Sequence, residues 1–281
     1  MLTDKDLELS NIKGISEVFN QRIYKYVGYE DAIKYVLIDK NTLKFSSPND
    51  FNDPFDCYEG FVNFSNVPPS ATLDDTAKRL LDRSIVKEAS SRTKQVLNDR
   101  RTRLNFFKEQ KKDYRVSCFS KVYDEVLMWS HYANKHTGVC IGFEFPIEPL
   151  PKDFIVFPVV YKDSVQPFDV YANPFRIILH WIITKSHHWK YEKEVRAIIK
   201  NGSRKLLNDG NNYYYVIEKD WIKEIVFGCK VSDKVVEKTI KLIRKNGFKN
   251  ILIKRMFINP DNFSLEENII ADIQNYKNKV K

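Results

Sequence analysis

The nine residues YEKEVRAII, positions 191–199, form the strongest strand pattern in this chain. Alternate side chains of a β-strand point to the same face of a sheet. Glu192, Glu194 and Arg196 are therefore predicted to lie on one face, with Val195 on the other. The charged face either meets solvent or contributes to a functional site.

Similar strand patterns occur on both sides of this segment. Further strands are predicted at residues 23–27, 42–46, 115–120, 138–145, 155–161, 222–227 and 250–257. Helical periodicity is found at residues 29–39, 126–135, 174–189 and 232–247. The sequence thus predicts an α+β fold with a mixed or antiparallel β-sheet core.

The order of these elements suggests how the chain is divided. Residues 1–218 are predicted to form the main domain, with a helical pair inserted at about 72–112. Residues 219–281 are predicted to form a βαβ-like unit that packs on this domain. Its helix is expected to begin after Ser232 as N-cap and to end at Gly247, because these residue types favour those positions.

Composition limits the class of protein. Hydrophobic residues make up 43% and aromatic residues 14% of the chain, which argues against disorder. The polar, acidic start lacks a secretion signal and no apolar stretch reaches the roughly 20 residues that span a bilayer, so we expect a cytoplasmic protein without membrane contact. The four cysteines are scattered without a CxxC pair, so neither disulfides nor a zinc knuckle is predicted.

The charge of the chain favours acidic partners. Its formal net charge is +9 at pH 7, although a generally basic proteome would explain this value equally well. Residues 83–115 contain 11 Lys or Arg against 4 Asp or Glu. A local basic surface on the helical pair is therefore predicted, with nucleic acid as its partner.

Two acidic residues that lie two positions apart are the first candidate for a catalytic site. Glu192 and Glu194, held side by side, could position a hydroxyl group or stabilise a developing positive charge. The alternative is a solvent-facing charged strip balanced by Lys190, Lys193 and Arg196. Only groups brought from elsewhere in the chain can decide between these interpretations.

An aromatic helix is the second candidate. Trp129, Tyr132 and His136 lie at i, i+3 and i+7 of the predicted helix, so they should share one face. That face could stack a nicotinamide or a nucleobase, or it could belong to the core. His131, His136 and Cys140 have poor spacing for zinc, and no metal site is predicted.

The segment from Ser47 to Asp56 is the third candidate, because it is dense in Pro, Asn and Asp. Asn52, Asp53 and Asp56 could cap a pocket or contact a substrate. Alternatively, the segment is a rigid turn in which Asp side chains bind the backbone.

Several of these segments together resemble the bacterial family named domain of unknown function 2971. They are Tyr24-Lys25-Tyr26, residues 43–48 and 51–56, Cys118-Phe119-Ser120, residues 128–133 with His136 and Gly138, and residues 189–196. The likeness extends over nearly the whole chain, but the family name implies no activity.

A second resemblance is to the ADP-ribosyltransferases, which have a split, strand-rich fold. Their first strand carries Arg or His, a later strand ends in an aromatic residue or Ser before a helix with Ser and Tyr, and a third strand bears Glu-x-Glu. The matching positions here are Lys25, then Phe119-Ser120 with Ser130 and Tyr132, then Glu192 and Glu194. Lys25 departs from the family pattern, and Arg22 is a nearby substitute.

This resemblance implies an enzyme that uses NAD and transfers ADP-ribose to a nucleic-acid or protein acceptor, as an effector in toxin or phage-defence systems. Glu194 would face the ribose cation and Glu192 would orient or deprotonate the acceptor. Lys25 or Arg22 would hold the pyrophosphate. The other residues of the implied NAD site are Tyr24, Ser120, Trp129, Ser130, Tyr132 and His136.

Two other functions remain open at the level of sequence. Asp53, Asp56, Glu192 and Glu194 could hold Mg²⁺ in a nuclease or phosphodiesterase. Alternatively, the aromatic and basic residues could form a non-catalytic nucleic-acid-binding module. The sequence does not predict the acceptor or the oligomeric state.

Overall fold

A computed structural model describes most of the chain. The described residues are 21–37, 40–63, 111–146, 154–169, 176–210 and 212–273, with isolated positions 18, 101, 105, 108 and 109. The helical pair predicted at about 72–112 therefore lies almost entirely outside the described residues.

The described residues contain both strands and helices. The strands are β1 (Ile23–Val27), β2 (Thr42–Phe45), β3 (Val62–Asn63), β4 (Tyr114–Ser120), β5 (Val139–Phe143), β6 (Ile155–Pro158), β7 (Val160–Lys162), β8 (Phe168–Asp169), β9 (Thr184–Ser186), β10 (Glu194–Lys200), β11 (Leu206–Asp209), β12 (Asn212–Val216), β13 (Ile222–Phe227), β14 (Ile251–Ile258) and β15 (Leu265–Ile273). The α-helices are α1 (Tyr29–Asp31), which continues as a π-helix over Ala32–Leu37, α2 (Val126–Tyr132), α3 (Arg176–Ile183) and α4 (Asp233–Lys245).

The largest sheet has eight strands in the order β15-β14-β13-β5-β1-β4-β10-β6. β1 pairs antiparallel with β4 and β5, β5 with β13, β10 with β6, and β14 with β15. β13 and β14 are parallel. This mixed sheet with few helices confirms the predicted α+β class.

The chain divides into two compact units. The described residues of the first unit are 47–63, 111–115, 159–169 and 176–189, with the isolated positions 101, 105, 108 and 109. This unit contains α3 and the parallel strand pairs β3–β8 and β7–β9. The second unit contains the eight-stranded sheet and the small sheet β11-β12-β2. The domain boundary predicted near residue 218 stays a prediction.

The two faces of the eight-stranded sheet carry separate apolar clusters, because the strands alternate their side chains between the faces. One face, called here the α4 face, buries Ile23, Ile141, Val195 and Ile225 with Val236 and Ile243 of α4. The other, the α2 face, buries Tyr24, Tyr26, Cys140 and Val226 with Met128 and Trp129 of α2. Every candidate residue on these strands can therefore be assigned to one face.

The C-terminal strands form the predicted βαβ unit. α4 follows Ser232 and ends at Lys245, and Gly247 has the positive φ of 72° expected for a residue beyond a helix end. The Phe248 N–H donates to the Ile243 carbonyl oxygen at 3.3 Å and closes this end. Since β13 also pairs with β5, the unit extends the eight-stranded sheet.

The strand predicted at 191–199 begins later than expected. Residues His187–Glu192 form a 3₁₀-helix, and β10 starts at Glu194. Lys193 has a φ of 43°, and its N–H donates to the Lys190 carbonyl oxygen at 3.2 Å. The prediction that Glu192 and Glu194 share one strand face is therefore wrong, because a tight turn separates them.

The helix predicted at 126–135 ends at Tyr132. Asn134, Lys135 and His136 all have positive φ, between 46° and 69°, which an α-helix does not allow. The His136 N–H donates to the Trp129 carbonyl oxygen at 3.2 Å, so the chain folds back. The predicted helical placement of His136 is wrong, although the turn still brings it next to Trp129.

No helix in the described part of the chain is long and apolar enough to cross a membrane.

Gly228 allows a close backbone approach that generates a stability prediction. A Cβ atom at Gly228 would lie 2.2 Å from the His136 carbonyl oxygen, which also accepts the Lys230 N–H at 3.2 Å. We expect Gly228→Ala to lower the free energy of unfolding by about 1–3 kcal/mol in urea titrations. Gly28→Ala is the control, since no atom lies within 4 Å of its Cβ position. Equal stabilities for the two variants would contradict the packing argument.

Candidate functional site

Glu192 is a buried carboxylate that is fixed at both its side chain and its backbone. Its residue surface is 2% exposed. The Tyr132 hydroxyl donates to Glu192 Oε1 at 2.7 Å, and the Ser120 hydroxyl donates to the Glu192 carbonyl oxygen at 2.7 Å. Ser120 Oγ also accepts the Val122 N–H at 3.0 Å. These bonds preorganise the Glu192 carboxylate next to α2.

Three adjacent strands bring the groups around Glu192 together. Tyr24 of β1 is opposite Ser120 of β4, and β4 neighbours β10 in the sheet. Tyr24 and Tyr132 both belong to the apolar cluster of the α2 face. Ser120, Tyr132 and Glu192, which were predicted from separate segments, therefore meet at this face. Tyr24 lies on the same face with its ring against Tyr123.

Glu194 has a different environment from Glu192. Its Oε1 accepts the Arg196 Nε–H at 2.7 Å and its Oε2 accepts Arg196 Nη2 at 3.1 Å. Glu194 is 3% exposed and Arg196 is fully buried. Both carboxylate oxygens thus engage one guanidinium group, which is the bidentate geometry of a strong ion pair. Glu194 is therefore held in an ion pair with Arg196, whereas the carboxylate of Glu192 meets Tyr132 of α2.

Lys25 lies on the α4 face, because it alternates with two tyrosines that lie on the α2 face. Its ammonium group donates to Ser117 Oγ at 2.9 Å and to the Cys118 carbonyl oxygen at 3.0 Å. It also lies 5.2 Å from the centre of the Phe119 ring. Burial lowers the pKa of Lys25. The structure does not bring this group to the face that carries Tyr132.

Arg22 belongs to an ion-pair network on the α2 face that the sequence analysis missed. Arg22 donates to Glu144 at 2.7 Å and also pairs with the buried Glu224. Lys254 Nζ lies 2.9 Å from Glu224 Oε1. Gly142 makes room for this network, since a Cβ atom there would lie 2.7 Å from Arg22 Cδ. The charge of Arg22 is therefore compensated within the protein.

The network continues to the edge of the sheet. Lys254 donates to Glu267 at 2.9 Å and to the Tyr123 hydroxyl at 3.2 Å. Burial opposes the charge of Lys254, yet hydrogen bonds to Glu267 and Glu224 raise its pKa. Burial also raises the pKa of Tyr24, whose hydroxyl donates to Glu224 at 3.3 Å.

A signal for this network was present in the sequence. Glu224 and Lys254 are charged residues inside the apolar segments IKEIVF and ILIKRMFI. A charge buried in a strand requires an opposite charge on the same face. The two strands flank one helix in a βαβ unit, so their pairing could have been inferred.

Trp129 is a core residue. It is fully buried, its indole N–H donates to the Tyr123 carbonyl oxygen at 2.7 Å, and the Tyr26 ring packs on it edge-to-face at 5.2 Å. The His136 ring lies nearly parallel to the indole at 6.5 Å. No open face of Trp129 remains for a nicotinamide, so the packing interpretation applies to this residue.

Ser130 and His136 form a hydrogen-bonded pair next to Trp129. The Ser130 hydroxyl donates to the Val126 carbonyl oxygen at 3.1 Å, so it accepts from His136 Nε2, 3.0 Å away. The proton of the neutral imidazole is thereby placed on Nε2. Burial lowers the pKa of His136, which is therefore neutral at pH 7. The pair orients the ring, and His136 does not activate Ser130 as a base.

The Asn52 to Asp56 segment lies in the first unit, whereas Glu192 lies in the second. Asp53 Oδ1 accepts the Phe55 N–H at 2.9 Å, and the Asp56 N–H donates to the Asp53 carbonyl oxygen at 3.0 Å. The buried Asp56 carboxylate lies 3.8 Å from Lys185 Nζ. These bonds agree with the interpretation of a rigid turn.

Within the part of the chain that the structure describes, no group of three or more His, Cys, Asp or Glu side chains is placed to hold a metal ion. The carboxylates suggested for Mg²⁺ are divided between the two units, with Asp53 and Asp56 in one and Glu192 and Glu194 in the other.

Comparison with known proteins gives one match. Residues 128–197 match the model of the family DUF2971, which is described as a protein of unknown function. The matched segment extends from α2 into β10 and contains Tyr132, Glu192 and Glu194. It supports the resemblance to this family that the sequence segments indicated. No curated protein and no solved structure matches the chain.

The Glu194–Arg196 pair generates a stability prediction. Glu194→Gln removes the negative charge that compensates a fully buried guanidinium. We expect the free energy of unfolding to fall by about 3–5 kcal/mol, measured by circular dichroism in urea. The double variant Glu194→Gln/Arg196→Met should recover part of this loss. Glu237→Gln on the exposed side of α4 is the control; a Glu194→Gln protein as stable as that control would refute the argument.

Proposed function

We propose that this protein is an ADP-ribosyltransferase-like enzyme that cleaves NAD and transfers ADP-ribose to a nucleic-acid or protein acceptor. The observation that carries the proposal is the buried Glu192 carboxylate, which Tyr132 fixes at 2.7 Å. Further support comes from β1, β4 and β10, the elements that match the family pattern, because they are adjacent in the sheet.

The reaction needs one well-placed acid group. The bond between the nicotinamide nitrogen and ribose C1′ breaks, and nicotinamide leaves with the bonding electron pair. The ribose then carries an oxocarbenium-like positive charge, which a fixed carboxylate in a dry site stabilises. An O–H or N–H group of the acceptor bonds to C1′, and its proton passes to Glu192 or to water.

In this proposal the two glutamates exchange the roles that the family resemblance implied. Glu192 faces the ribose, because its buried carboxylate is fixed beside α2 by the Tyr132 hydroxyl. Glu194 supports the site by neutralising Arg196, since both its oxygens accept N–H groups from that residue. The Glu-x-Glu pattern then combines a reacting group with a structural one.

The aromatic contribution combines the predicted Tyr132 with Tyr191, and the cationic contribution comes from new residues. Tyr132 and Tyr191 are partly exposed beside Glu192, so they replace the buried Trp129 as surfaces for nicotinamide. Lys190 and Lys193 are exposed in the turn that carries Glu192. They are better placed for the pyrophosphate than cations whose charge is already compensated.

Glu192→Gln tests the catalytic role. The glutamine carbonyl still accepts the Tyr132 hydroxyl, so the fold is retained while the negative charge is lost. We expect release of nicotinamide from NAD to fall by about 100-fold or more, within the range of general acid–base contributions. Turnover is measured with fluorogenic etheno-NAD, and Glu237→Gln is the matched control. Full turnover by Glu192→Gln would refute the assignment.

Binding of NAD separates this proposal from the alternatives. NAD at 100 times its Kd should stabilise the protein by about 2.7 kcal/mol, and this gain is measured as a rise in Tm. A rise with Mg²⁺ or Mn²⁺ but not with NAD would favour a metal-dependent nuclease. A protein stabilised by neither, but by nucleic acid, would be a binding module.

Lys190→Gln/Lys193→Gln tests the pyrophosphate contact. Loss of two exposed cations should raise KM for NAD about tenfold with little change in kcat, because the contact is equal in ground and transition states. Lys234→Gln/Lys238→Gln on α4 removes the same charge elsewhere and is the control. A fall in kcat without a change in KM would assign these lysines another role.

A further inference from the structure

A cavity of about 490 Å³ lies on the second unit, away from Glu192. Its walls come from the start of α2, the turn at His136, the residues after β13 and the hairpin between β14 and β15. Its lining includes neither Glu192 nor Glu194. The volume lies in the range of small-molecule sites, roughly 300–1,000 Å³.

One part of the lining carries a positive charge. Lys230 lines the cavity and is exposed, and Asp261 of the hairpin is the carboxylate residue of the same lining. Its backbone N–H donates to the His136 carbonyl oxygen at 3.2 Å, so its main chain is held to the adjacent wall. A fixed backbone with an available cation favours an anionic ligand group.

The hairpin contributes apolar and aromatic side chains to the lining. Phe263 at the hairpin tip is fully exposed and Ile258 is 70% exposed, and both line the cavity. An exposed aromatic ring beside an exposed aliphatic side chain offers a surface on which a planar group can stack.

The hairpin that presents these side chains is ordered. Asn259 Oδ1 accepts the Asp261 N–H at 2.8 Å and the Asn262 N–H at 3.1 Å. The Asn259 N–H donates to the Ser264 carbonyl oxygen at 3.1 Å. Phe263 is thus held at the rim by a turn with its own hydrogen bonds, which lowers the entropic cost of binding.

We propose that this cavity binds a mononucleotide-like ligand, with its planar base against Phe263 and Ile258 and its phosphate group at Lys230. The base would stack on the aromatic side chain, and the phosphate would form a charge-assisted hydrogen bond with the lysine. The ligand therefore needs both parts of the lining. The site is separate from the proposed catalytic group, and it stands whether or not the chain cleaves NAD.

The test uses AMP and its uncharged counterpart adenosine as probes in isothermal titration calorimetry. Lys230→Gln should weaken AMP about tenfold and adenosine less than twofold. Phe263→Ala should weaken both probes several-fold because it removes the stacking surface. Both side chains are exposed, so neither change should disturb the fold.

A matched control makes the outcome decisive. Lys234→Gln removes one exposed charge from α4 and should leave AMP affinity unchanged. The proposal is overturned if the wild-type protein fails to bind AMP at millimolar concentration. It is equally overturned if Lys234→Gln weakens AMP as much as Lys230→Gln, or if wild-type protein binds adenosine as tightly as AMP.

Discussion

Charges buried on the α2 face must be compensated on that face, and the rest of the second unit is arranged around this constraint. Arg196 is fully buried and donates hydrogen bonds to both carboxylate oxygens of Glu194, which lies two residues earlier on the same strand. Glu224 is buried in the same way and is paired with Arg22 and Lys254 from other strands. Removing one member of such a pair lowers the free energy of unfolding by more than the intact pair contributes to it. The reason is that the remaining charge stays buried without either water or an opposite charge. The pairs of Glu224 therefore join separate segments of the sheet, whereas the Glu194–Arg196 pair lies within one strand.

The same constraint separates two glutamates that look alike in the sequence. Glu194 is on the strand and is committed to Arg196, whereas Glu192 lies one tight turn earlier and meets Tyr132. The turn depends on the positive φ of Lys193. The Glu192 carboxylate thus contacts α2 because of one backbone angle. In a regular strand this side chain would point in a different direction. The functional hypothesis follows from this difference in environment.

Helix α2 connects the proposed catalytic group with the nucleotide cavity. Tyr132 near its end fixes Glu192, and Val126 at its start lines the cavity. Trp129 lies between them and is fully buried, with the His136 ring stacked beside it. Trp129, which the sequence suggested for ligand stacking, therefore belongs to the packed centre of the helix. The positions that the two proposals assign to ligand sites, Tyr132 and Val126, are at its ends.

Local patterns were sufficient for the elements that depend on periodicity and on caps. Alternation predicted the main strands, and Ser232 and Gly247 predicted both ends of α4, because a cap acts within one turn of the chain. Only tertiary structure decided the positions of Glu192 and His136, since Glu192 depends on the positive φ of Lys193 and His136 on a run of three residues with positive φ, 134–136. β15, which no pattern predicted, is a mostly exposed strand that exists through its pairing with β14. The pairs of Glu224 and of Tyr132 join residues far apart in sequence, and hydrogen bonds of that kind form only when the sheet has brought their strands and α2 together.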